Sequence, residues 1–268
     1  MNSSKSELLN QGNKDSLNAF TVFLDEIGIT DIDNIKEIAS QTVKYLKSNG
    51  ATRSILAEEQ ELETRCYSSV KAGSPDYGVY SSRYYLAELW ACWIVYSRKY
   101  LIEIEKKKII TTVPGKILDL GCGFGYTTTA IKQLFPDSIV CATNIRNTVQ
   151  YQVAEKLSKQ AGFILVEKLE ELPPCIFDVV IGFEYFEHIE DPIGQLNEII
   201  TRFSPRILIL ANSFNTQAIG HFPIYSYKGS RILSKDISKL FNLFLKYKKY
   251  RLVRTGMWNN RPSVWVRV

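Results

Sequence analysis

Ile117-Leu118-Asp119-Leu120-Gly121-Cys122-Gly123-Phe124-Gly125 is the most informative stretch of this chain. Its first half is a short apolar run broken by one acid, the pattern of a strand buried on both faces. It enters directly a turn with glycine at alternate positions. Glycine permits positive φ and lets a backbone approach a ligand with no Cβ in the way. Tyr126, Thr127 and Thr128 then open a helix, whose first N–H groups suit a carboxylate. A lone glycine triplet is weak; strand, turn and helix in this order, with Asp119 two residues ahead of the first glycine, are stronger.

Beyond the turn, short β-rich runs alternate with helical stretches, the signature of a sheet built from βαβ units. The predicted strands are Lys116–Leu120, Ser138–Thr143, Phe163–Glu167, Phe177–Phe183 and Arg206–Ala211, with Tyr247–Arg254 and Ser263–Val268 closing the chain. Helices are predicted over Tyr126–Phe135, Thr148–Gln160 and Pro192–Phe203, and around Lys235–Phe244.

Ahead of the turn the periodicity is helical. Leu17, Phe20, Leu24 and Ile27 share one face, as do Ile35, Ile38, Ala39 and Leu46. Leu86, Leu89, Trp90, Trp93, Ile94, Leu101 and Ile104 mark a longer helix, whose Trp and Tyr residues read as core. Pro114-Gly115 divides a helical cap or lid over residues 1–110 from a sheet domain over 111–268, with residues 1–14 expected to be disordered. Tyr77, Tyr80, Tyr84 and Tyr85 suit either a lid over a ligand or packing against the sheet domain.

At 268 residues, 45% hydrophobic and 23% charged, the chain can bury a core without staples. Cys66, Cys92, Cys122, Cys141 and Cys175 are odd in number and contain no C-x-x-C pair, so neither a disulfide framework nor a zinc site is predicted. The N-terminus lacks a signal-peptide pattern and no apolar run reaches membrane-spanning length; the expected location is cytoplasmic. The net charge of +5 demands no anionic partner. Its densest run, Lys246-Tyr247-Lys248-Lys249-Tyr250-Arg251, reads as a strand with lysines on its wet side in preference to a nucleic-acid contact.

The sequence from about Lys116 to Ala211 resembles the class I S-adenosylmethionine (SAM) dependent methyltransferase family. The resemblance rests on Asp119, Gly121, Gly123 and Gly125, on the strand Phe177-Asp178-Val179-Val180, and on the phrase Glu184-Tyr185-Phe186-Glu187-His188-Ile189-Glu190-Asp191-Pro192. The G-x-G-x-G spacing differs from the G-x-G-x-x-G of nicotinamide-cofactor proteins. The family's fold is α/β, a Rossmann-like methyltransferase sheet with helices on both faces, here preceded by an N-terminal helical subdomain. The resemblance implies SAM as cofactor, cradled by Asp119, Gly121, Cys122, Gly123, Gly125, Tyr126 and Glu184.

Two positions depart from the family pattern. Where an acid usually accepts the ribose hydroxyls, the second strand ends in Asn144-Ile145, a neutral replacement worth about 1–2 kcal/mol of binding. The adenine position aligns with Lys168-Leu169, with Glu167 or Glu170 as substitutes. Candidate chemistry falls to Tyr185, to Ser213 at the end of the fifth strand beside Asn212, and to His221, read as a general base or as a structural hydrogen-bonding residue; His188 has a structural or substrate-loop reading. No metal site is predicted.

Neither the Asn/Asp-Pro-Pro-Tyr motif of amino-group DNA methyltransferases nor a well-placed Pro-Cys is present, which favours a small-molecule acceptor; Pro173-Pro174-Cys175 precedes its strand. Three readings stand: methyl transfer to an O, N or C nucleophile, cyclisation of SAM itself to a small cyclic amino acid with release of methylthioadenosine, and a non-catalytic binding protein.

Overall fold

The computed structural model describes residues 20–257 and 261–268 apart from 23, 27, 48–56 and 217. The expectation for residues 1–14, and Leu17 and Ile27 of the first stripe, lie outside the described residues. Phe20 and Leu24 are helical and buried, and the Phe20 ring packs 4.9 Å from that of Phe124 in the glycine turn.

Helix α1 (Ile32–Lys47) buries Ile35, Ile38 and Ala39 of the stripe read from the sequence, together with Val43, while Leu46 is half-buried and lines the cavity described below. Helix α2 (Ala57–Lys71) was not predicted, because AEEQELETRCYSSVK has no continuous apolar stripe. After a 3-10 turn (Tyr77–Ser81), α3 (Arg83–Cys92), a π turn (Trp93–Ser97) and α4 (Arg98–Lys106) form one continuous helical rod. Ser82 caps its start by accepting from Tyr85 N–H, and the π turn is closed by Arg98 N–H donating to Trp93 C=O.

The sheet contains β1 (Lys116–Leu120), β2 (Ile139–Thr143), β3 (Ile164–Val166), β4 (Val179–Phe183) and β5 (Ile207–Ala211), all parallel, then β8 (Tyr250–Val253) and β9 (Ser263–Arg267). Its order is β3-β2-β1-β4-β5-β9-β8, with β9 antiparallel to both neighbours. The connecting helices are α5 (Tyr126–Leu134), α6 (Val149–Ala161), α7 (Pro192–Phe203) and α8 (Ser234–Tyr247). Strand alternation divides the core in two. Ile117, Val140, Val179, Ile181 and Ile209 face α3 to α6, whereas Leu118, Leu120, Val180, Leu208 and Leu210 face α7 and α8. This is the Rossmann-like methyltransferase architecture, with helices on both faces and a helical region ahead of the sheet.

Two further departures concern the C-terminal part. An unpredicted hairpin, β6 (Ile224–Tyr227) and β7 (Ser230–Leu233), follows β5. The strand predicted from Tyr247 begins at Tyr250, because α8 continues through Tyr247 and buries Ile237, Phe241 and Leu245 at helical spacing. The basic run therefore spans a helix end and a turn before entering the edge strand. Among the described residues, no helix is long and apolar enough to cross a membrane.

Candidate active site

A cavity of about 520 Å³ opens at the C-terminal ends of β1, β2, β4 and β5, roofed by α3 and the π turn. The glycine turn forms its floor, with φ of +61° at Gly121 and +56° at Gly123. A Cβ on Gly121 would lie 2.5 Å from Tyr185 Cδ2, and one on Gly123 would lie 3.0 Å from the Leu89 side chain. Both glycines are thus required by close approach as well as by conformation. Gly125 holds φ +84° as the residue preceding α5, where a Cβ would meet the Ala154 backbone at 3.3 Å; it shapes the turn without lining the cavity.

The Gly121→Ala variant is expected to lower S-adenosylhomocysteine affinity at least about tenfold, since the left-handed backbone alone costs about 1–2 kcal/mol and Tyr185 must also move. Titration calorimetry checks this, and undiminished affinity would contradict the assigned floor.

The polar groups around this floor fit a ligand with an amino-acid end. Helix α5 begins with no side-chain cap, in contrast to α6 and α7, which Thr148 and Asp191 cap; its first N–H groups face the cavity beside Tyr126 and Thr127. Asp119, 2% exposed, accepts a 2.6 Å hydrogen bond from Thr128 Oγ1; burial pushes its carboxyl up to about 7 while the Thr128 hydroxyl pulls it down. Tyr126 Oη and Gln150 Oε1 are buried in the wall with no partner among the described residues. Cys122 also lines the wall, its thiol pushed well up by burial and by Asp119.

On the β2 and β3 side, Asn144 lines the cavity and is also bonded to the protein. Its Nδ2 donates to Gly123 C=O at 2.6 Å and its Oδ1 accepts from Ile145 N–H at 2.9 Å, so it braces the turn. Neither Lys168 nor Leu169 lines the cavity; Glu167 does, together with Ile145. Leu169 instead packs into the core beneath the sheet, because Glu171 Oε1 accepts from the N–H groups of Glu167 and Lys168 and turns the chain there.

The opposite end is an ion-pair network. Glu184 holds φ +50° just past β4. Its Oε2 accepts from Ser213 Oγ at 2.7 Å, while Arg261 Nη2 donates both to Glu184 Oε1 and to Ser213 Oγ. Below it Glu187, fully buried, accepts from Ser213 N–H at 2.6 Å. Burial and the adjacent Glu184 charge hold the Glu187 carboxyl well above the carboxylate range. The Ser213 hydroxyl hydrogen is therefore committed to Glu184. Asn212 does not line the cavity, and its buried Oδ1 has no partner among the described residues.

Beside this network the wall is aromatic. Tyr80 and Tyr85 pack against His188, whose ring meets His221 edge-on at 4.7 Å between centroids. Gly220 permits the packing, since a Cβ there would lie 2.6 Å from His188 Nδ1. Thr216 C=O accepts from His221 Nδ1 at 2.8 Å; a carbonyl cannot donate, so Nδ1 carries the hydrogen and Nε2 keeps its lone pair. Burial lowers both imidazoles, against which the Thr216 carbonyl raises His221. His221, Thr216 and Ala218 also line an adjoining groove of about 440 Å³.

A profile of the methyltransferase domain family matches residues 97–238, just over half of the chain. The chain belongs to the class I SAM-dependent methyltransferase family. Trans-aconitate 2-methyltransferase of Rhodopseudomonas palustris (strain HaA2) is 30% identical over 94 residues, 35% of this chain and 36% of that protein, so the chain spans about a third of that relative's length in the match. Among solved structures, the plantazolicin methyltransferase BpumL, in complex with a monoazolic desmethylPZN analogue and SAH, has a TM-score of 0.51 at 16% identity, covering 78% of this chain and 96% of that one. An O-methyltransferase from a trans-AT PKS multienzyme of Brevibacillus brevis, in complex with S-adenosyl-L-homocysteine, covers 44% of this chain and 42% of its own at 20% identity, with a TM-score of 0.38.

Among the polar residues at the site that sequence reading did not select, Arg261 makes the strongest contacts. It is one of two arginines between β8 and β9, and only the fold brings it beside β4 and β5. Gln150 was likewise not selected, because inside a helical stripe it is indistinguishable from a solvent-facing glutamine.

Proposed function

We propose that the protein transfers the methyl group of SAM to an O, N or C nucleophile of a small molecule. The observation that carries this reading is the aromatic chamber beyond the glycine turn, into which a neutral histidine, His221, presents an imidazole with Nε2 unprotonated. In this reading residues 1–110 act as the cap of the site and residues 111–268 as the cofactor domain. SAM, when bound, supplies a methyl group on a positively charged sulfur.

The chain's own groups would hold it as follows. Asp119, the Gly121–Gly125 turn and the start of α5 take the amino-acid end, and Gln150, Ile145 and Glu167 rim the adenosine side. The rings of Phe183, Tyr185 and Tyr126 offer the faces that attract a cation. Water is excluded by the roof from α3. His221 Nε2 accepts the proton that an acceptor O–H or N–H gives up, and the His221 N–H stays on Thr216 C=O, fixing the ring. Tyr185 acts as a wall on Gly121, whereas Ser213 and Glu184 act by positioning.

A cavity and groove totalling more space than a cofactor needs support a second substrate over cyclisation of SAM alone, and the polar groups that cyclisation would use at Asn144 and Ser213 are already bonded to protein. The test is mass spectrometry after incubation with methyl-labelled SAM, first alone and then with small metabolites that include trans-aconitate, the acid named for the relative above. Labelled small product with the metabolites is expected. Methylthioadenosine from SAM alone would transfer the assignment to cyclisation.

A further inference from the structure

Charge is distributed unevenly along this chain. Residues 228–268 carry eleven Lys and Arg against one acid, Asp236, whereas the preceding 227 residues carry 22 against 27. Among the described residues, eight cations of the earlier part pair with carboxylates, including Arg65 with Asp76, Arg83 with Asp31 and Glu58, Arg146 with Glu167 and Glu171, and Lys156 with Glu26. Lys239, Lys246, Lys249 and Arg251 have no carboxylate partner among the described residues, and Lys248 lies over the Phe244 ring at 5.4 Å. Unpaired like charges gathered at one place repel one another, an arrangement that an anionic partner relieves.

Lys246, Lys248, Lys249 and Arg251 form a defined corner at the end of α8, the following turn and the start of β8, with Lys239 two turns earlier on α8. The corner is fixed from beneath: Tyr250 is buried and its hydroxyl donates to Pro205 C=O at 2.5 Å. Lys249 holds φ +65°, a geometry that favours glycine or asparagine, yet a lysine stands there. Two apolar side chains on successive turns of α8 project between the cations, Leu243 at 50% and Tyr247 at 76% exposure. Because β8 runs parallel to β5 through the antiparallel β9, its beginning lies at the edge of the sheet opposite the cavity.

We propose that this corner docks the protein on an anionic membrane surface, with Leu243 and Tyr247 entering the headgroup layer, the lysines and Arg251 meeting lipid phosphate and carboxylate groups, and the cavity mouth facing away. The apolar pair decides between anionic partners. A polynucleotide stacks its bases on aromatic faces and gains little from an aliphatic Leu243, and the second aromatic of the run, Tyr250, is buried; a headgroup layer accommodates both leucine and tyrosine. The proposal is independent of the reaction at the cavity.

Co-sedimentation of the full chain with vesicles of phosphatidylcholine, with and without phosphatidylserine, tests it. Binding is expected only with phosphatidylserine and is expected to be lost in high salt. The double variant Lys246→Glu, Lys249→Glu should weaken it at least about tenfold, and Tyr247→Ser several-fold, as removal of surface lysines and an inserted ring requires. Unchanged S-adenosylhomocysteine binding and thermal midpoint show that these variants are folded. No binding to phosphatidylserine vesicles at low salt, or binding that survives the double charge reversal, overturns the proposal. So does tighter retention on single-stranded RNA than on vesicles, which would assign the corner to nucleic acid.

Discussion

The variant His221→Gln is expected to lower kcat by about 10²–10⁴-fold while leaving the affinity for S-adenosylhomocysteine within about twofold, the range associated with loss of a general base. The basis is the fixed ring: Thr216 C=O holds the Nδ1 hydrogen, leaving Nε2 to accept a proton. Burial depresses the imidazole below its usual value, so the ring stays neutral as pH falls past the point where a free histidine would charge. Protonation is therefore penalised in the fold. The wild-type rate should hold down to below about pH 6.5 and then fall, and the variant should lack that acidic limb. Steady-state kinetics over pH with any acceptor found by labelling provides the check. A loss of rate matched by an equal loss of S-adenosylhomocysteine binding would instead make His221 part of the wall alone.

The variant Arg261→Ala is expected to destabilise the protein by about 1–3 kcal/mol, because it leaves a partly buried carboxylate without its partner. Arg261 Nη2 is shared by Glu184 Oε1 and Ser213 Oγ, and Glu187 lies directly below. With the guanidinium removed, the Glu184 carboxylate loses the cation that offsets its desolvation, and no positive charge remains beside the buried Glu187. The thermal midpoint should fall by roughly 5 °C, given roughly 2–4 °C per kcal/mol for domains of about this size. The double variant Arg261→Ala, Glu184→Gln should recover much of the loss, since the stranded charge is then gone. Equal midpoints for the single and double variants would show that Arg261 acts by packing.

The parts of the molecule that were legible in the sequence are those whose determinants are local. Gly121, Gly123 and Gly125 follow an apolar run and precede a helix, and all three glycines take positive φ. Helix α7 starts at Pro192 behind Asp191, whose carboxylate accepts from Gly194 N–H, and every apolar residue of its stripe is buried. The parts that were not legible depend on distant partners. Helix α2 has no stripe to announce it. Arg261 has no local pattern, and its role exists only because β9 inserts beside β5. Glu187 belongs to the family phrase read from the sequence, but its burial and its bond from Ser213 N–H depend on a distant strand end. The offset at Lys168 and Leu169 arose from a turn set by Glu171, three residues farther on, which moves Glu167 to the rim. At Asn144 the residue type was informative about charge but silent about direction, since its amide points back to Gly123.

The π turn at Trp93–Ser97 places a constraint on chain length. It accommodates a residue that an α-helix of equal rise would not hold, and each residue of an α-helix advances by about 100°. Upstream, Tyr85, Glu88, Leu89 and Cys92 face the cavity; downstream, Tyr100, Leu101 and Ile104 are buried in the core. Removing one residue between them would force one set or the other to rotate by that angle, turning the roof away from the site or the apolar stripe toward water. The count of residues in this segment is therefore as tightly specified as their identity.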